Sequence, residues 1–133
     1  NMQNDFTPYA DVVAEVCEEL LDQAKKLEAA GVEPQKICID PGIGFGKSVQ
    51  DNLDLVKSLE TLSESGYPVL FGTSRKSYFG KIAGLENSDR LVPTVTAGVI
   101  AALGGACCLR VHDVREAKES ILYLEALRSY GSV

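Results

Sequence analysis

Lys36-Ile-Cys-Ile-Asp40, followed at once by Pro41-Gly-Ile-Gly-Phe-Gly46-Lys47-Ser48, is the stretch on which the fold turns. Its first five residues form a β-rich run whose alternation sets Ile37 and Ile39 on one side, Cys38 and Asp40 on the other. The run ends on a carboxylate. Pro41 and three glycines then make a tight turn that brings backbone close to a ligand at the strand end. Downstream, Leu53, Leu55, Val56, Leu59 and Leu62 recur at helical spacing from about Gln50 to Ser65, before Gly66. Strand, glycine-rich turn and helix in that order make one unit of a parallel α/β protein.

The flanking sequence repeats the pattern. Upstream, Thr7-Pro8 supplies a cap and a proline for the first helical position, and Val12, Val13, Val16, Leu20, Leu21, Ala24 and Leu27 carry the helix to Gly31. Pro68-Val-Leu-Phe-Gly72 predicts a second strand, ending at Thr73-Ser74-Arg75-Lys76-Ser77. A short helix from Phe79 to Ala83 follows, then one approached through Ser88 and Pro93 that ends near Gly104-Gly105. Ala106 to Val111 is a third strand, and Asp113 caps a last helix to about Ser129. No linker interrupts residues 1–133, so they form a single unit. The order helix-β-α-β-α-β-α is that of the second half of a (β/α)8 barrel, which as a whole needs about 250 residues. Three strands cannot close such a barrel, and a flavodoxin-like sheet would also lack strands.

Composition narrows the function. With 45% apolar and 24% charged residues the chain is a globular protein rather than a disordered one. A net charge of -6 disfavours nucleic-acid binding but leaves room for a small anion held by local cations. No apolar run reaches the roughly 18 residues of a membrane span, and no basic segment with an apolar follower suggests a leader, so the cytoplasm is expected. Cys17, Cys38, Cys107 and Cys108 form no CxxC pair, which argues against zinc; Cys38 and Cys107 are expected as buried, reduced thiols.

The chemistry-bearing residues fall at strand ends: Asp40, then Ser74-Arg75-Lys76-Ser77, then Arg110-Val111-His112-Asp113. In parallel α/β folds these ends share one face, where sites are built. The loop from Gly42 to Lys47 is no Walker A motif: three residues, not four, separate Gly42 from Gly46-Lys47, and Pro41 stands where a glycine is required. It also misses the dinucleotide fingerprint, its third glycine coming one residue early. His112, the only histidine, lies two residues from Arg110, so both can address one anion with N–H donors. Asp113 is expected as a helix cap; Asp51, Asp54, Glu60, Glu64 and the pair Glu18-Glu19 as solvated helix faces.

These motifs resemble the dihydropteroate synthase family. Asp40-Pro41-Gly42-Ile43-Gly44-Phe45 resembles its D-P-G-x-G-F loop, Gly72-Thr73-Ser74-Arg75-Lys76-Ser77 its G-x-S-R-K-S segment, and Arg110-Val111-His112-Asp113-Val114 its R-V-H-D-V. Met2-Gln3-Asn4 resembles the end of the family's fifth strand. The resemblance implies parallel βα units, helix 5 through helix 8, from the C-terminal part of a TIM barrel left incomplete in this chain. It implies a transferase of folate biosynthesis, a sulfonamide target, that joins 6-hydroxymethyl-7,8-dihydropterin diphosphate to 4-aminobenzoate. By the resemblance, Asp40, Lys76 and Gly72 contact the pterin, with Asp40 and Lys76 catalytic. Phe45, Lys76 and Ser77 line the aminobenzoate pocket, and Arg110 and His112 hold the diphosphate. A magnesium ion (Mg2+) would take its protein ligand from a missing N-terminal half, and a homodimer through the later helices is implied. The isolated chain is therefore expected to be inactive. Two rivals remain open: the pterin-binding domain of a corrinoid methyltransferase, and a non-catalytic assembly remnant prone to self-association.

Overall fold

The computed structural model describes residues 8–82, 84–85 and 89–131. Among the described residues, five α-helices pack around a small parallel sheet: α1 (Val12–Ala29), α2 (Val49–Lys57), α3 (Leu59–Ser63), α4 (Leu91–Leu103) and α5 (Val114–Tyr130), with strands β1 (Leu70–Phe71) and β2 (Cys108–Leu109). Leu70 pairs with Cys108 and Phe71 with Leu109, in parallel. A parallel bridge between Ile39 and Val69 adds a third extended segment on the other side of β1. The strands are shorter than the sequence suggests, two residues each.

The alternation sorts the faces as expected on the helix side. Ile37, Ile39, Val69 and Phe71 are buried with Leu55, Leu59 and Leu62 of the helices that follow the first strand. Leu109 faces α4 so closely that a methyl group at Gly98 would lie 3.4 Å from its Cδ1. The expectation fails for the cysteines: Cys107 and Cys108 are exposed, Cys17, on α1, is only half-buried, and Cys38 is exposed on the opposite face. No element among the described residues packs over that side of the sheet.

Several boundaries differ from those expected. Thr7 lies outside the described residues, and the first helix is capped by Asp11, whose Oδ1 accepts the Ala14 N–H at 3.0 Å. Glu15 answers by accepting the N–H groups of Ala10 and Asp11, so the first turn is satisfied by carboxylates rather than by a threonine. The predicted helix from Gln50 to Ser65 is two helices broken at Ser58, the first held by a reciprocal Ser48–Asp51 capping box. Asp51 is thus a capping residue, not merely part of a solvated face. The short helix expected from Phe79 is a 3-10 turn, Ser77–Lys81, with Ala83 outside the described residues. Ser88 and the segment Met2-Gln3-Asn4 also lie outside them. Asp113 occupies the N-cap position of α5 but makes no capping hydrogen bond, because Arg75 takes its carboxylate.

Candidate active site

The loop after the first strand end is strapped rather than slack. Asp40 Oδ1 accepts the Gly42 N–H at 2.8 Å, closing the turn from within. Gly42 and Gly44 adopt φ of 68° and 86°, a left-handed backbone that a side chain would strain. Lys47 reaches back to donate to the carbonyls of Gly42 (3.0 Å) and Phe45 (3.1 Å). Burial pushes its ammonium below the usual lysine range, opposed by Asp51, Glu19 and Asp40. From beneath, Asn52 Oδ1 accepts the Gly44 N–H at 2.7 Å while its amide donates to the Ser48 carbonyl. Asn52 is 1% exposed, so the loop is anchored to a buried amide.

Lys76, after the second strand, leans over this loop. Its Nζ sits 4.1 Å from the Phe45 ring centroid, a cation–π contact. A methyl group at Gly44 would lie 3.1 Å from the lysine Cδ, so the glycine also makes room for the stem. Burial lowers the Lys76 pKa first, the Arg110 guanidinium lowers it further, and Asp40 opposes both. Those three charges therefore feel one another across three separate strand ends. Arg110 itself lies across Gly72: a methyl group there would stand 3.1 Å from its Nε and Nη2.

Two consecutive residues of the second loop clamp two consecutive residues of the third. Ser74 Oγ lies 2.9 Å from His112 Nδ1 and accepts the His112 backbone N–H at 3.0 Å. Arg75 forms a forked pair with Asp113, Nε to Oδ2 at 3.0 Å and Nη2 to Oδ1 at 2.5 Å. The guanidinium hydrogen bond, aided by its charge, holds the Asp113 carboxyl below its ordinary pKa. Arg75 is held at φ 54° while its N–H donates to Thr94 and its carbonyl accepts from Arg90.

The result is a cleft of 370 Å3 lined by Gly72, Ser74, Lys76, Arg110, Val111 and His112. Asp40 and Phe45 join it through Lys76. Ser77 stands exposed at the head of the 3-10 turn, outside the cleft lining. Lys47, Asn52, Ser74, Arg75 and Thr94 had no separate role in the sequence reading, yet they hold the site in shape. Ser74 and Arg75 stood in the strand-end cluster, and Asn52 left a signal of its own, a polar residue in the apolar stripe with Leu55, Leu59 and Leu62. Chemically the cleft offers an ammonium, a guanidinium and an imidazole to an anion, with a carboxylate alongside. Among the described residues no three His, Cys, Asp or Glu side chains are arranged to hold a metal ion, and no helix is long and apolar enough to cross a membrane.

The family model described as pterin binding enzyme matches residues 1–112. The dihydropteroate synthase of Escherichia coli K12 is 40% identical over 121 residues, covering 91% of this chain and 43% of that protein. That of Bacillus subtilis is 34% identical, over 94% of this chain and 44% of its own length. Among solved structures, dihydropteroate synthase from Xanthomonas albilineans in complex with 7,8-dihydropteroate is similar with a TM-score of 0.87 and 42% identity, over 91% of this chain and 47% of that one. The same enzyme with 4-aminobenzoic acid gives 0.89 and 41%, over 96% and 47%. The chain thus spans less than half the length of these relatives. These are synthases rather than corrinoid methyltransferases, and the match over residues 1–112 shows that the chain belongs to the pterin binding enzyme family.

Proposed function

We propose that this chain supplies the C-terminal βα units of a TIM-barrel dihydropteroate synthase, carrying its diphosphate-binding pair and part of its pterin and aminobenzoate pockets. The observation that carries this reading is the convergence of Lys76, Arg110 and Asp40, close enough for each of the others to shift the lysine's protonation. Such a group suits a ligand with a donor-rich heterocycle at one end and an anion at the other.

In this reading the C–O bond between the pterin methylene and the diphosphate breaks, and negative charge builds on the departing oxygen. Arg110 and His112 stabilise that charge from positions fixed beforehand by Gly72 and Ser74. Asp40 accepts from the N–H groups of the pterin edge. Lys76, stacked on Phe45, lies between the pterin and the aminobenzoate, and Ser77 borders the aminobenzoate. The aminobenzoate nitrogen attacks the methylene carbon and sheds a proton. A magnesium ion accompanying the diphosphate belongs to the proposal, with its protein ligand outside this chain; no step here runs through it. A cytoplasmic location and a homodimer belong to the proposal too. The isolated chain is expected to show negligible synthase turnover.

Calorimetric titration tests this. Inorganic pyrophosphate is expected to bind the purified chain, to compete with the pterin diphosphate, and to lose its binding in Arg110→Ala. Binding of methyltetrahydrofolate without any of pyrophosphate would favour the methyltransferase reading instead.

A further inference from the structure

Ser74 contributes one hydroxyl to two contacts with the same residue, and proton counting decides what that does to His112. A serine hydroxyl has one proton to give and two lone pairs to receive with. One lone pair takes the His112 backbone N–H at 3.0 Å. The remaining contact, 2.9 Å to Nδ1, can be made in two ways. Either the hydroxyl donates to a bare Nδ1, or a protonated Nδ1 donates to the hydroxyl. In the second case both lone pairs are used and the hydroxyl proton needs another acceptor. Among the described residues the structure gives Ser74 Oγ no such acceptor, and the residue is only 7% exposed. At the wall of the cleft that proton would then depend on whatever enters the cleft for an acceptor, whereas the first arrangement satisfies every group within the protein.

We propose that Ser74 is a positioning residue: it holds neutral His112 in the tautomer whose proton sits on Nε2, so that the histidine meets an oxyanion as a donor. The other tautomer would present a lone pair from Nε2 to that anion and repel it. The adjacent Arg75–Asp113 pair keeps the two loops in register, so the serine oxygen stays in place as ligands come and go. Thr94, 2% exposed, fixes the same loop from the α4 side by accepting the Arg75 N–H. The assignment of the anion as a diphosphate rests on the function proposed above. The tautomer itself does not.

His112 is the only histidine in the chain, so one ring spectrum reports on it without assignment work. Long-range nitrogen–proton correlation on the histidine-labelled chain, at a pH where the ring is neutral, is expected to show the Nε2–H form in excess. Ser74→Ala is expected to move the signals toward a mixture and to weaken inorganic pyrophosphate about tenfold, the loss of one oriented donor. Ser74→Thr, which restores a hydroxyl, is expected to recover both. An Nδ1–H pattern in the unaltered chain would overturn the proposal without any variant having to fold. So would a Ser74→Ala spectrum identical to that of the unaltered chain. An Nε2–H pattern that Ser74→Ala redistributes, in a chain that fails to bind pyrophosphate, would support Ser74's role in the tautomer and overturn the diphosphate reading alone.

Discussion

The missing side chain at Gly72 is what lets Arg110 lie flat across the strand. A Cβ at that position would stand 3.1 Å from two guanidinium nitrogens, closer than such contacts normally come. The strand backbone is held on both sides, by the Ile39–Val69 bridge and by β2, so the guanidinium, at the end of a long side chain, gives way first. Gly72→Ala is therefore expected to leave thermal unfolding within a few degrees of the unaltered chain. It should weaken pyrophosphate binding by about tenfold, equivalent to roughly 1.4 kcal/mol. Calorimetry beside a melting curve checks both halves, and unchanged affinity would mean that Arg110 holds its ligand from another position. Lys76 makes the complementary point. Burial, and after it the neighbouring Arg110 guanidinium, leave it less willing to be charged than an ordinary lysine, and an incoming anion would restore that charge.

At the level of elements, α2 does more than cover the sheet. Leu55 and, beyond the break, Leu59 and Leu62 seal the core, while Asn52 one turn earlier reaches up to hold the Gly44 N–H and the Ser48 carbonyl. Replacing Asn52 with leucine keeps the volume similar but strands the Gly44 N–H, while the Ser48 carbonyl keeps the backbone N–H of residue 52. The expected cost is about 1–3 kcal/mol in urea unfolding, together with faster amide exchange at Gly44. Unaltered exchange there would show that the loop does not depend on α2. Much at this scale was legible in the sequence. The alternation of Ile37 and Ile39 against Asp40, and of Leu109 against Arg110, sorted core from cleft correctly, because a strand's two faces follow from its geometry alone. The strand ends likewise foretold the site. What escaped was tertiary. Asp113 has the position and chemistry of a cap, and only the approach of Arg75 from the preceding loop diverts it. Cys38 and Cys107 have the sequence of core residues, yet both are exposed, Cys38 on the side of the sheet that nothing among the described residues covers and Cys107 beside α4 and α5. Local pattern cannot report on a neighbour that is not there.

For the whole molecule the same uncovered surface has consequences in solution. Among the described residues, Ile39 and β2 each pair with β1 alone, leaving outward-facing backbone groups on both margins of the sheet. On the helical side, Val92, Ile100 and Leu103 of α4 and Val114, Leu122, Tyr123 and Leu127 of α5 are exposed. A scattered apolar residue is ordinary on a protein surface, but so many on two neighbouring helices point to association. The chain is therefore expected to run as a dimer or larger species in light scattering at micromolar concentration. The two surfaces can be told apart. Ile100→Glu combined with Leu103→Glu places charges on α4 while leaving the sheet margins intact. A fall to monomer mass would assign the contact to α4, and an unchanged mass would assign it to α5 or the strand margins. A well-folded monomer in the unaltered chain would show that neither surface drives assembly, despite the apolar area both expose.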